Sequence, residues 1–225
     1  MIRTVCASAN EIRISRKEVY RYLGYGKNIV NTDTANIVET CITEIQPKLS
    51  CRACYEHFSV RFDKNNIDLG FTTTQSRALR KNLNSCHEII LFTATIGFDI
   101  DRIIQKYSML SPVCAVTAQA IGAAAIEEWC DMLCRRFAQE EQQKDNYLRP
   151  RFSPGYGDFP LEVQKHIFRV LDCSRKIGVS LNESLLMSPS KSVSALIGVS
   201  KKDIHCTPNG CEICENTECE FRRSY

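Results

Sequence analysis

This 225-residue sequence has little net charge. Lys and Arg number 29 against 26 Asp and Glu, a formal net charge of +3. The basic residues are scattered, whereas a nucleic-acid interface needs a concentrated basic stripe. A long apolar run is also missing. The longest stretch of small apolar residues, 115–126, is interrupted by Thr117 and Gln119, short of the roughly 18 apolar residues a membrane span requires. Residues 1–14 lack the apolar block of a secretory signal. There is no internal repeat, no low-complexity linker and no alternation of strand and helix of the kind that builds a doubly wound sheet. With 44% hydrophobic and 24% charged residues, the composition is that of an ordinary globular chain. The expectation is a cytoplasmic protein with neither nucleic acid nor membrane among its partners.

Cysteine, in contrast, is abundant, with 13 residues. Disulfides are rare in the reducing cytosol, so these side chains are expected as thiols, metal ligands or redox groups. Cys6, Cys41, Cys86, Cys114, Cys130, Cys134 and Cys173 are isolated in sequence, and lone cysteines on apolar faces behave as small hydrophobes. Cys51 and Cys54 form a single C-x-x-C, a weak redox or metal signal against the plainer reading of two separate thiols. Cys206, Cys211, Cys214 and Cys219 stand at C-x4-C-x2-C-x4-C spacing in a polar tail that also holds Pro208 and Gly210. Four thiolates that close together suit structural zinc or an iron–sulfur cluster. A reduced tail without metal is the alternative. A segment this poor in apolar residues cannot fold on burial alone.

Periodicity predicts helices over 16–23, 35–45, 76–83, 161–171 and, longest of all, 112–142, Ala-rich at first and amphipathic later through Ile126, Trp129, Leu133 and Phe137. Alternation at Phe58, Val60 and Phe62, a turn at Asn65-Asn66 and a return through Ile67 and Leu69 predict a hairpin. The run 88–95 reads as a buried strand, and 183–187 and 194–199 as two more. Apolar periodicity stops beyond Lys201. The expected fold class is therefore α+β, mixed helices with an antiparallel sheet, over residues 1–200, with a short Cys-rich tail over 201–225.

Between the long helix and the next lies Arg149-Pro150-Arg151-Phe152-Ser153-Pro154-Gly155-Tyr156-Gly157-Asp158. Two prolines and two glycines in ten residues argue for a loop. It is either a plain surface connection or a cradle in which glycine lets the backbone approach a ligand, Arg151 offers a planar fork to a carboxylate, and Tyr156 offers a ring and a hydroxyl.

Arg151-Phe152-Ser153-Pro154-Gly155-Tyr156 followed by Pro160 resembles the Arg-Pro-x-Pro-Gly-Tyr-x-x-x-Pro signature of the activation domain of cobalamin-dependent methionine synthase. Leu181-Asn182-Glu183-Ser184, Met187, Pro189 and Ser192-Val193-Ser194 continue the similarity, as do Asp145-Asn146-Tyr147 and Glu128-Trp129 upstream. The similarity is firm over 122–199. Three positions depart from the family pattern: Phe152 replaces the proline beside the arginine, Ser188 a tryptophan, and Ile197 a tyrosine.

The resemblance implies a domain that binds S-adenosylmethionine and assists rescue of an oxidised cobalamin by one electron and a methyl group. It implies that Arg151 pairs with the donor's carboxylate and that Pro154, Gly155 and Tyr156 lie against its adenosine. Glu128 and Asp145 become candidates for the α-amino group or the sulfonium surroundings. No Asp-x-His-x-x-Gly corrin-binding motif occurs in the sequence. The cobalamin is therefore expected on a partner, a cobalamin-binding methionine synthase subunit or other corrinoid protein. The chain would serve a methyltransferase activity as an accessory subunit, with a possible electron donor as a further partner. Two rival readings stay open: a non-catalytic module that only docks on a corrinoid protein, and an electron-delivery protein whose tail carries an iron–sulfur cluster.

Overall fold

The computed structural model describes residues 1–26 and 28–203; the four cysteines expected to hold a metal lie outside the described residues. An edge strand, β1 (Arg3–Ala7), opens the chain. Ser15 accepts a hydrogen bond from the Glu18 amide and starts α1 (Arg16–Tyr22). Asn31 does the same for Thr34 and starts α2 (Thr32–Ile45). Each side-chain oxygen satisfies one of the amides a helix start leaves unpaired. There follow β2 (Cys51–Ser59), the short β3 (Arg61–Phe62), β4 (Ile67–Asp68) and β5 (Thr73–Thr74), α3 (Arg77–Asn82), β6 (Cys86–Thr95) and α4 (Asp99–Leu110). Ser111, with Pro112 behind it, caps α5 (Pro112–Gln142), a helix of about 46 Å. The chain ends with β7 (Tyr147–Leu148), α6 (Val163–Val170), α7 (Cys173–Ile177), β8 (Ser180–Leu181), β9 (Met187–Ser188) and β10 (Ser192–Ser200).

The main sheet has the order β1-β2-β6-β10-β7, and every neighbouring pair is antiparallel. Successive side chains of a strand point to opposite faces, so β6 serves two cores. Ile90, Phe92 and Ala94 face a core shared with α1, α2, α4 and α5. Ile89 and Leu91 face a second core with Leu79 of α3, Val163 and Ile167 of α6, and Cys173 and Ile177 of α7. This double burial explains why 88–95 reads as an unbroken apolar run. Along α5, the buried small residues Ala118, Ala120, Gly122, Ala124 and Ala125 come first, and Trp129, Leu133 and Phe137 follow. The Phe137 ring lies 4.7 Å from Tyr55 and 6.1 Å from Phe92, centroid to centroid. The Trp129 indole donates to the Arg52 carbonyl at 3.2 Å.

The mixed antiparallel architecture agrees with the α+β expectation, with some local differences. The strand expected around Phe58 begins already at Cys51, because pairing with β1 continues through both cysteines. Residues 183–187 do not form a strand. Asn182 accepts from the Leu186 amide, Leu185 has φ +63, and only Met187–Ser188 pairs back onto β8. Helix α4 and strand β1 were not expected from the sequence.

Candidate functional site

The segment after α5 does not leave the fold as a free loop. It runs down the edge of β10, with Tyr147 and Leu148 opposite Ser200 and Val199, the Arg149 amide donating to Gly198 at 2.8 Å, and Phe152 bridged to Leu196. The register slips by one residue between Arg149 and Phe152, at Pro150, which has no amide to donate. The slip turns Arg149 and Arg151 to opposite sides. Arg149 is 3% exposed and donates to the Asn84 carbonyl at 3.1 Å. A Cβ on Gly198 would stand 2.6 Å from the Cys86 sulfur and 3.0 Å from Arg149 Cγ, so this arrangement requires glycine there.

Arg151 points instead to α5. Its Nη2 donates to Glu127 Oε2 at 3.0 Å and to Asp131 Oδ1 at 2.8 Å. The side chain is recessed, at 21% exposure. Burial opposes its charge, but Cys130, Glu127, Cys134 and Asp131 around it raise its pKa above the ordinary arginine value. Glu127 and Asp131 are four residues apart and share one helix face.

Beyond Arg151 the chain turns sharply. Gly155 has φ +93 and donates its amide to the Phe159 carbonyl at 2.8 Å; Tyr156 donates to Ser153. Pro154 is buried at the base of this turn, whereas Tyr156 is 65% exposed at its tip, beside the Phe152 ring at 6.3 Å. The turn is anchored by Asp158, whose carboxylate accepts from Ser76 Oγ and from the Arg77 and Ala78 amides at the start of α3. These bonds, Ser76 foremost, lower its pKa to about 2. Sequence reading passed over Asp158. The available signal was an acidic residue closing a Gly-rich turn, but nothing local pointed to α3, some 80 residues earlier.

The other expected site residues are placed elsewhere. Glu128 lies a helical step of about 100° from Glu127, and its Oε1 accepts from Arg135 at 2.7 Å. Asp145 sits with φ +55 in the turn that ends α5, more than about 16 Å along the axis from Asp131. Its neighbour Asn146 is buried and donates to Glu141, itself 1% exposed. Ile197, at 1% exposure, packs in the core beneath α5. Thus Arg151 is brought to Glu127 and Asp131 of α5, and the turn that follows it is held against α3.

A family model described as the activation domain of vitamin B12-dependent methionine synthase matches residues 80–204, more than half of the chain. The chain belongs to this family. Among solved structures, a protein titled as the MetH reactivation domain bound to AdoHcy superposes with a TM-score of 0.69 at 15% sequence identity, over 93% of this chain and 81% of that one. At that identity the likeness speaks for the fold. A comparison with curated proteins finds no match. The matched residues include α5, Arg151, the Pro154–Tyr156 turn and β10. No helix among the described residues of this activation domain is long and apolar enough to cross a membrane.

The pH response of the turn follows from Asp158. A carboxylate with a depressed folded pKa stabilises the fold above its unfolded value, about 3.9, and loses that contribution as pH falls towards the folded value. The turn is therefore expected to loosen between about pH 4 and pH 2. Asp158→Asn, lacking this titration, is expected to show a shallower loss of stability over that window, measured by thermal melts across pH.

Proposed function

We propose that this activation domain binds S-adenosylmethionine in the cluster around Arg151 and supports reductive methylation of a cobalamin carried by a separate corrinoid protein or methionine synthase subunit. The observation that carries the reading is the charge of the cluster. Arg151 with Glu127 and Asp131 sums to one negative charge, half-hidden from water. S-adenosylmethionine, with a carboxylate, an ammonium and a sulfonium, sums to one positive charge. Arg151 would hand its fork to the ligand carboxylate, and the two acids would turn to the ammonium and sulfonium, so that neither buried charge is left alone. The Gly155 backbone and Tyr156 ring would flank the adenosine. The related reactivation domain is bound to adenosylhomocysteine, the demethylated form of the same ligand, which supports a ligand of this class.

A corrinoid with a reductant would supply the nucleophilic cobalt. The residues here would bind the donor, hold its methyl group towards the partner and exclude water. In a mixture of cobalamin-loaded partner, electron source and S-adenosylmethionine, methylcobalamin absorbance is expected to appear only when this protein is added. An equal rate without it would dismiss the role. Glu127→Gln is expected to weaken S-adenosylmethionine by roughly tenfold, about 1.4 kcal/mol, and the uncharged-sulfur adenosylhomocysteine by less. Equal losses would show that Glu127 does not sense the sulfonium.

Residues 201–225 are proposed as a separate unit folding around zinc or an iron–sulfur cluster held by Cys206, Cys211, Cys214 and Cys219. Thiolate coordination supplies on the order of 10 kcal/mol to a small site. Protein purified without chelator or oxygen is expected to carry stoichiometric zinc or iron, released by replacing Cys211 and Cys214 with serine. Absence of both metals would leave a thiol tail and remove the electron-delivery alternative.

A further inference from the structure

The C-x-x-C at Cys51 and Cys54 is not a redox pair. Both residues lie in β2, where a three-residue step turns them to opposite faces. Cys51 packs in the core under α5, and burial pushes its thiol up to about 12. Cys54 faces the second core and meets a different cysteine. Its Sγ lies 4.0 Å from the sulfur of Cys173, 119 residues away at the start of α7, and Cys173 Sγ lies 3.4 Å from the Thr93 hydroxyl. Both cysteines are fully buried.

Beneath them runs a cross-strand row, Cys54 opposite Thr93 and Thr93 opposite Ser194. Ser194 is 2% exposed, and its Oγ has no hydrogen-bond partner among the described residues. A buried hydroxyl without a partner is costly to keep, and this one stands in the row that carries the thiols. The two cysteines are also unlike each other. Hydrogen bonding to Cys54 and Thr93 lowers the Cys173 pKa, and the same contact together with burial raises that of Cys54. Cys173, at the start of α7 with the Thr93 hydroxyl beside its sulfur, is placed to attack, and Cys54, 4.0 Å away in β2, to resolve.

We propose that Cys54 and Cys173 form a peroxide-sensitive dithiol that closes to a disulfide and pins α7 to the middle of the sheet. The Cys173 thiolate attacks one peroxide oxygen. An S–O bond forms, the O–O bond breaks, and hydroxide leaves to take up the proton Cys173 has lost. Cys54 sulfur then attacks Cys173 sulfur. The S–S bond forms, the S–O bond breaks, and the departing oxygen leaves as water with the Cys54 proton. Two thiols are oxidised and one peroxide is reduced to two waters. The Thr93 and Ser194 hydroxyls supply donors for the leaving oxygen. Access runs through α7, a five-residue helix bounded by left-handed Asp172 (φ +48) and Gly178 (φ +71). Local opening of this short element, without global unfolding, would admit the peroxide. This inference does not depend on the ligand proposed for Arg151.

The test uses the whole chain, reduced, freed of reductant and treated with hydrogen peroxide. After remaining thiols are capped under denaturing conditions, peptide mass spectrometry is expected to show the Cys54 and Cys173 peptides joined, with the loss of two hydrogens. In Cys54→Ser the resolving thiol is gone, and a carbon-acid probe for sulfenic acid is expected to label Cys173. The proposal is overturned if both peptides of the unmutated protein remain capped as free thiols under conditions that oxidise the exposed Cys6. It is equally overturned if Cys173 is found joined to another cysteine.

Discussion

Arg151→Ala is expected to weaken S-adenosylmethionine binding by about 100-fold, or nearly 3 kcal/mol. Two effects add. The ligand carboxylate loses a charge-assisted fork. Glu127 and Asp131, now without the cation that holds them apart from water, repel each other on one helix face. Arg151→Lys restores a charge but not the planar pair of donors and is expected to recover only part of the affinity. Isothermal titration calorimetry measures both, with Trp129 fluorescence as a check that the α5 core is intact. If Arg151→Ala binds as tightly as the parent, the carboxylate is held elsewhere and the proposed site is wrong.

Phe137→Ala is expected to cost about 3–5 kcal/mol of folding stability. Phe137 is 1% exposed and is the ring through which α5 touches both Tyr55 of β2 and Phe92 of β6. Close-packed surroundings cannot collapse into the space a phenyl ring leaves. Against a total stability of roughly 5–15 kcal/mol for a domain, the loss is large. Denaturant unfolding followed by circular dichroism reads it directly. A cost under about 1 kcal/mol would mean that the contact between α5 and the sheet is not where the fold is held.

Strand β10 carries a core on each face and on its edge aligns the Arg149–Phe152 segment. The bend at Pro150 then swings Arg151 towards α5, and Asp158 ties the following turn to α3. The surroundings of Arg151 and the turn after it are thus set by β10, α5 and α3, each already needed for the core.

Sequence alone determined the elements whose signal is local. The extent of α5 follows from Pro112 and a helical apolar stripe. The buried strands β6 and β10 follow from their apolar runs, and the Arg151–Tyr156 turn from its prolines and glycines. These patterns repeat every 3.6 or 2 residues and need no distant partner. Tertiary structure alone decided which of two adjacent glutamates faces Arg151. A 100° step separates Glu127 from Glu128, and the choice depends on how α5 is rotated against the sheet. It decided that Asp158 caps a helix some 80 residues away, and that Cys54 finds Cys173 rather than Cys51. Only the tertiary structure also revealed α7, too short for a helical period to declare itself, and β1, an edge strand whose place depends on pairing with β2. In each case the deciding contact joins residues far apart in sequence, and its free energy is gained only once the chain has closed on itself.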